Sequence, residues 1–318
     1  MKVRRIGIGV TLMVFGMGGG VRAAGSSTEP ERVGVVDAAI DSLTGDVYAQ
    51  PSKWRPLSLG TFFSEGWDQA WASPTNGSGG APRQGWIGAA DGVFYRLGIG
   101  TFSYAHDAAN NGDAYNGGVT FYTPLSRRFE LRYDLPIISS SKDAAGKYKT
   151  AAGDLAITPR VILSESQDVT QSFGVAFRAP TGNADNGNGI AAITPGYEFW
   201  SNPWQKLVVR GGATMAVPFG HDSFDESGAR NTFGAQLAAG YYFTDHDMTP
   251  FGDLVFDVGT TLTQATDDHG PHTTTLLITP AFRTHMGRNW YLLAGIDVPV
   301  TNPEPYDFQP TVGLMKVF

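Results

Sequence analysis

The densest chemistry in the sequence lies in FELRYDLPI, residues 129–137, where Glu130, Arg132 and Asp134 take every second position and Phe129, Leu131, Tyr133, Leu135 and Ile137 fill the rest. Two carboxylates beside a guanidinium can hold a polar solute, or they can neutralise one another through charge-assisted hydrogen bonds. A period of two puts the three ionised groups on one face of a β-strand and the five apolar side chains on the other. Such a strand suits a soluble sandwich with its charged face in water. It suits equally a membrane barrel with its apolar face in lipid and its charged face in a wet lumen.

Other chemistries are poorly served. DDHGPH, residues 267–272, sets His269 and His272 beside Asp267 and Asp268, a donor set for zinc, yet Gly270 and Pro271 already account for a tight turn. HDSFDES, residues 221–227, has oxygen ligands without the spacing or central glycine of a calcium loop. No metal and no cofactor is expected. Ser103 and His106 differ in strand parity and cannot form a nucleophile–base pair, no G-x-S-x-G elbow occurs, and the chain has no cysteine. An enzyme is therefore not expected, with a lipid hydrolase in the outer membrane as the remote alternative.

The elements that would position these groups read as strands. Alternating segments fall at about 93–107, 117–125, 128–139, 153–165, 169–179, 189–201, 206–218, 230–243, 249–263, 271–284, 289–300 and 308–318. Each is as long as a tilted membrane strand requires, and an even number suits a bacterial single-chain barrel. Short connections such as PLSRR and HMGRN alternate with long polar ones such as HDAANNGDAYNGG and APTGNADNGNG. That is the asymmetry of an outer-membrane barrel, short on the periplasmic side and long outside. Phe199, Trp200, Trp204, Tyr241, Tyr242, Phe243, Phe251, Trp290 and Tyr291 sit beside the short turns, where an interfacial aromatic girdle belongs.

The chain opens with Lys2, Arg4 and Arg5, an apolar run from Ile6 to about Met17, and small residues at Ala23 and Ala24, which reads as a secretory signal over residues 1–24. Its loss removes four of the 23 Lys and Arg and takes the formal charge from −7 to −11, so no nucleic-acid partner is expected. The terminal Phe318 reads as an assembly signal for the barrel insertion machinery, and outer-membrane lipid is the expected surround. The localisation read from these features is the bacterial outer membrane.

With strand parity set by the apolar face, the expected lumen lining is Arg96, Glu130, Arg132, Asp134, Asp154, Arg160, Arg178, Glu198, Arg210, Asp253, Asp257, Arg283 and Asp297. The outward set includes Tyr95, Leu97 and Ile99 on the first strand and Phe173, Val175 and Phe177 on the fifth. The lining charges either select solutes or pair structurally. Residues 25–92 do not alternate; VVDAAIDSL, residues 35–43, suits a short helix, and Trp67, Trp71 and Trp86 mark a candidate plug or a cap on the periplasmic mouth.

The stretch FFSEGWDQAWASPTNGSGGAPRQGWIGAADGVFYR, residues 62–96, followed by a barrel ending in Phe, resembles bacterial outer-membrane transporters of the meta-pathway phenol-degradation-associated family. The resemblance implies a barrel that moves small, often aromatic, compounds. The combined expectation is an all-β, antiparallel, up-and-down transmembrane barrel of about twelve strands over residues 93–318, preceded by a signal (1–24) and a periplasmic or plug segment (25–92). Its function would be passive uptake of small solutes; the alternative is a closed barrel used for structure or surface interaction.

Overall fold

A computed structural model describes residues 32–47, 53–143, 145–182, 190–219, 230–267 and 273–318. The expected signal, His221, His269, His272 and the HDSFDES stretch lie outside the described residues. One helix, α1 (Val35–Thr44), precedes thirteen strands: β1 (Leu97–Ala105), β2 (Ala114–Pro124), β3 (Phe129–Lys142), β4 (Tyr148–Ala151), β5 (Ala156–Glu165), β6 (Val169–Arg178), β7 (Ala191–Trp204), β8 (Leu207–Phe219), β9 (Thr232–Tyr242), β10 (Gly252–Ala265), β11 (Thr274–Gly287), β12 (Trp290–Pro299) and β13 (Gln309–Val317).

Every strand pairs antiparallel with its neighbours, and β1 pairs with both β2 and β13, so twelve strands close into a barrel. The seam runs in register from Leu97↔Val317 to Ser103↔Thr311. Closure leaves no edge in the hydrocarbon, where an unpaired backbone group would cost several kcal/mol. The thirteenth strand, β4, lies in a connection read as loop; it adds to the protruding end of β3, Ser139↔Ala151 to Lys142↔Tyr148, and is not part of the closed wall.

The outer wall carries half-exposed apolar side chains, among them Phe121, Phe173, Phe177, Phe256, Val258, Val312 and Leu314. These would be costly in water and belong against acyl chains. Lys316 also points out, but its Nζ reaches the Arg288 carbonyl at 2.6 Å and lies over the Trp290 ring, snorkelling at the rim.

β1 differs from expectation. Its strand begins at Leu97, and Tyr95, Leu97 and Ile99 face inward, packed with Trp86, Leu293, Met315 and Val317. The parity rule presumes water inside and lipid outside. Here protein fills the inside, so apolar residues line it as well. Arg96 accordingly leaves the lumen lining: it stands at the periplasmic rim, its Nε donating to the Phe318 carbonyl at 2.8 Å and its Nη1 to the carbonyls of Ser42, Leu43 and Gly45. The same alternation divides the aromatic girdle. Trp204, Tyr241, Phe243, Phe251 and Trp290 are exposed, whereas Trp200, Tyr242 and Tyr291 are buried inside.

Candidate functional site in the lumen

The N-terminal segment closes the barrel from the short-turn side. Residues 53–80 cap the mouth: Leu57 bridges the end of β5 through Glu165, Ser78 N–H donates to Asp168, and Gly79 N–H donates to Asn202. Trp71 packs here with Val47, Leu57, Phe94 and Ile162. Trp67 lies outside the lumen, its indole donating to the Phe62 carbonyl at 2.5 Å, so of the three candidate plug tryptophans it occludes nothing. Its place near a glycine turn at Gly66 is local packing that spacing alone could not distinguish from insertion.

Residues 81–95 enter the barrel as a loop. Trp86 is pressed against the inner wall: a Cβ on Gly240 of β9 would lie 2.7 Å from the Trp86 ring and 2.7 Å from Cβ of Asp257. At the loop's far side a Cβ on Gly259 of β10 would lie 2.6 Å from the Gly88 carbonyl oxygen, and Gly88 itself has φ +68. The inner wall is thus hollowed by glycine where the loop passes.

Arginines hold this loop, mostly by its carbonyls. Arg210 of β8, fully buried, donates to the Arg83 carbonyl at 2.7 Å, to the Gln84 carbonyl, and to the Tyr95 hydroxyl at 3.1 Å; it pairs with Asp91 at 3.5 Å and stacks 4.7 Å from the Trp86 ring. Arg160 of β5 donates to the Asp91 carbonyl and to the Val93 carbonyl at 3.4 Å. It also joins Glu130 at 2.5 Å and Glu198 at 2.8 Å. Glu130 in turn accepts the Tyr95 N–H at 2.8 Å, and Tyr122 donates its hydroxyl to Asp91 at 2.5 Å. At the mouth, Arg127 takes the Arg55 carbonyl at 2.6 Å and Gln69, while Arg128 takes the carbonyls of Glu65 and Ser58. Arg83, supplied by the loop, grips the β5–β6 turn through Ser166, Gln167 and Thr170 and stacks on Trp200 at 4.6 Å. Burial lowers Arg83, Arg127 and Arg128 below the usual guanidinium range, against Glu165 and Glu65, which pull them up.

The remaining expected lining residues lie at different places along the barrel. Arg132 and Asp134 pair at 3.0 Å above the loop, and Thr120 donates to Asp134. Together with Arg160 and Glu198 they line a cavity of about 120 Å³. Closer to the external mouth, Asp154 and Arg178 stand 3.9 Å apart in a cavity of about 360 Å³ with Thr101, Ser103, Asn116 and Ser139. Asp297 accepts from Thr279 at 2.5 Å and from Gln309 at 3.4 Å. Asp253 is not on the lumen's ladder: it sits in the register shift between Gly252 and Val255 at the start of β10, where its carboxylate meets His246 of the β9–β10 turn at 2.6 Å and His246 stacks on His285.

Asp257 and Arg283 are buried beside Trp86 and Gln84. Neither carboxylate oxygen of Asp257, nor Nε and Nη2 of Arg283, has a hydrogen-bond partner among the described residues. Arg283 reaches Gln84 Oε1 at 3.4 Å and stacks on Tyr242 and Tyr291.

Sequence reasoning named the wall's half of this site and, on the loop, Trp86 alone. Asp91, Gln84 and Arg83 had no periodicity to announce them, and Tyr95 shared the alternation of β1 and was expected to face outward; beside the tryptophans, the glycines at 77, 79, 80, 85, 88 and 92 were the available sign of a backbone threaded through a tight space.

No family model and no curated protein matches the chain. Among solved structures it resembles an outer membrane channel from Pseudomonas putida F1, at 18% identity and a TM-score of 0.53, covering 74% of this chain and 99% of that one. The fold is that of an outer-membrane barrel. Other matches are the NanC porin (12% identity, TM-score 0.49, 70% of this chain and 98% of that one) and the KdgM porin (10%, 0.46, 70% and 99%). The closed barrel and its lipid-facing wall locate the protein in the bacterial outer membrane.

Proposed function

We propose that this protein is an outer-membrane channel for passive movement of small solutes, closed at rest by residues 81–95. The observation that supports this reading most directly is how the loop is held. It adds no strand to the wall and is clamped mainly by side chains donating to its carbonyls, an arrangement that can release as a unit without breaking the barrel ladder. Arg132, Asp134, Asp154 and Arg178 remain above it as the polar lining that an entering solute meets, whereas Arg160 and Arg210 serve the clamp. On this reading residues 1–24 are an export signal, 25–95 a cap and plug, and the barrel follows from Arg96.

The solute is small and polar at the vestibule, since neither cavity is lined by an aromatic ring. Aromatic compounds, which the family resemblance implies, gain support from a second feature: Tyr122, Tyr242 and Tyr291 turn their rings toward the wall arginines Arg160 and Arg283 at the level the loop now fills. A closed barrel used for surface interaction is the competing reading, favoured by the filling of the lumen at the level of the loop.

Single-channel conductance in a planar bilayer separates them. The mature chain is expected to show rare openings and a chain lacking residues 25–92 steady conductance. Silence from both, in protein shown to be folded and inserted, would end the channel reading.

A further inference from the structure

Helix α1 presents three distinct faces. Ala38 and Ser42 are buried against the protein, and Ser42 Oγ accepts the Trp71 N–H at 2.7 Å. Val35, Val36, Ile40 and Leu43 are exposed on a second face, Val36 at 72%, while Asp37, Asp41 and Thr44 form the third. At 100° per residue the exposed apolar side chains centre about a third of a turn from the buried pair, and the acids about a third of a turn further on. A surface helix ordinarily has two faces, core and water. This one has a core face, a water face and an apolar face that no described residue covers.

Its position says what covers that face. Arg96 points outward from the start of β1, and its guanidinium holds both the Phe318 carbonyl at the end of β13 and the last carbonyls of α1. That contact satisfies the helix C-terminus with a cation, as an isolated ten-residue helix could not do for itself. It also moors the end of α1 at the periplasmic rim where β13 closes on β1, close to β2 and to the exposed Phe318. The apolar face of α1 therefore stands at the rim of a surface already assigned to lipid. The exposed rings of the rim, Trp204, Tyr241, Phe243, Phe251 and Trp290, run from β7 to β12, and α1 lies beyond their end at β13 and β1.

We infer that α1 lies in the periplasmic leaflet of the outer membrane, its Val35, Val36, Ile40 and Leu43 face among the phospholipid acyl chains and its Asp37 and Asp41 face in water. The partner is phospholipid, and the site is an interfacial anchor at the root of the segment that continues into the lumen.

The absence of cysteine makes the test clean. Single variants Val36→Cys, Ile40→Cys, Asp37→Cys and Asp41→Cys of the full mature chain, each carrying a nitroxide, are reconstituted in phosphatidylcholine vesicles and checked for barrel assembly by heat-modifiable electrophoresis. Collision rates with oxygen, which partitions into lipid, are compared with those of a water-soluble nickel chelate. The expected result is a several-fold higher oxygen-to-nickel ratio at 36 and 40 than at 37 and 41. Equal ratios at all four sites would place the helix in water, and shielding of 36 and 40 from both reagents would mean that protein, a second copy included, covers the face. Either result overturns the inference, as does a profile without helical period.

Discussion

On the proposed function, Trp86→Ala should raise the fraction of time the barrel is open. The ring is buried inside the barrel against Gly240, donates to the Tyr242 hydroxyl at 3.1 Å and lies under the Arg210 guanidinium. Truncating a buried tryptophan costs about 3–5 kcal/mol where the surroundings cannot collapse, and a barrel wall fixed by its ladder cannot. Nearly all of that loss falls on the docked loop, because the undocked loop holds Trp86 in neither setting. At about 1.4 kcal/mol per tenfold, the ratio of open to closed should rise by about two to nearly four decades. Trp67→Ala, which removes a ring bonded only within the mouth cap, is the matched control and should leave the ratio near its original value. The assay is open probability of single channels in a planar bilayer. Equal responses from the two variants, or a silent Trp86→Ala protein that is folded and inserted, would refute the reading that Trp86 holds the loop in the lumen.

Gly240→Ala should act in the same direction from the wall side, since its new methyl meets the Trp86 ring and Asp257 at 2.7 Å; open probability should rise while the heat-resistant mobility of the barrel persists. Arg132→Gln with Asp134→Asn should shift the cation-to-anion permeability ratio of the chain lacking residues 25–92 by far less than either single change, because the pair is neutral; reversal potentials in a salt gradient read this directly. At the external rim, desolvation pushes Asp113 up, but the Asp107 N–H, His106 and Tyr104 outweigh it and hold its carboxyl below the usual range. A carboxyl depressed in the fold stabilises above its ordinary value and loses that contribution as pH falls through its folded value. Protection of the amides across residues 106–113, taken relative to their intrinsic exchange rates, should therefore stay high at neutral pH and fall only in acid below the usual carboxylate range, with Asp113→Asn weakly protected throughout. Val161→Arg, on the outer wall, should cost about 2–4 kcal/mol of barrel stability if it lies near the bilayer midplane, measured by urea unfolding in vesicles.

Much of the barrel was legible in the sequence because the signals that build it are local. Alternation in FELRYDLPI needs only the pleat, and the expected and observed bounds of β3, 128–139 against Phe129–Lys142, differ by a few residues. Loop lengths sort by rim because consecutive strands are neighbours, so the sequence by itself determined the class, the twelve-strand wall and the outward face from β2 onward. What only the tertiary structure decided is what each inward residue meets. Arg160 and Arg210 carry the same pattern as Arg132, yet the first two clamp carbonyls of a segment more than sixty residues away and the third faces a cavity. Period two separates two faces without saying whether the inner one is filled by water or by protein. At β1 that ignorance reversed the assignment of Tyr95, Leu97, Ile99 and Arg96, and at the rim it merged lipid-facing Trp204 with lumen-buried Trp200. The loop that fills the lumen has no ladder and hence no periodicity. Its path is set by contacts between distant residues and by the glycines that leave it room, and those exist only once the barrel has closed around it.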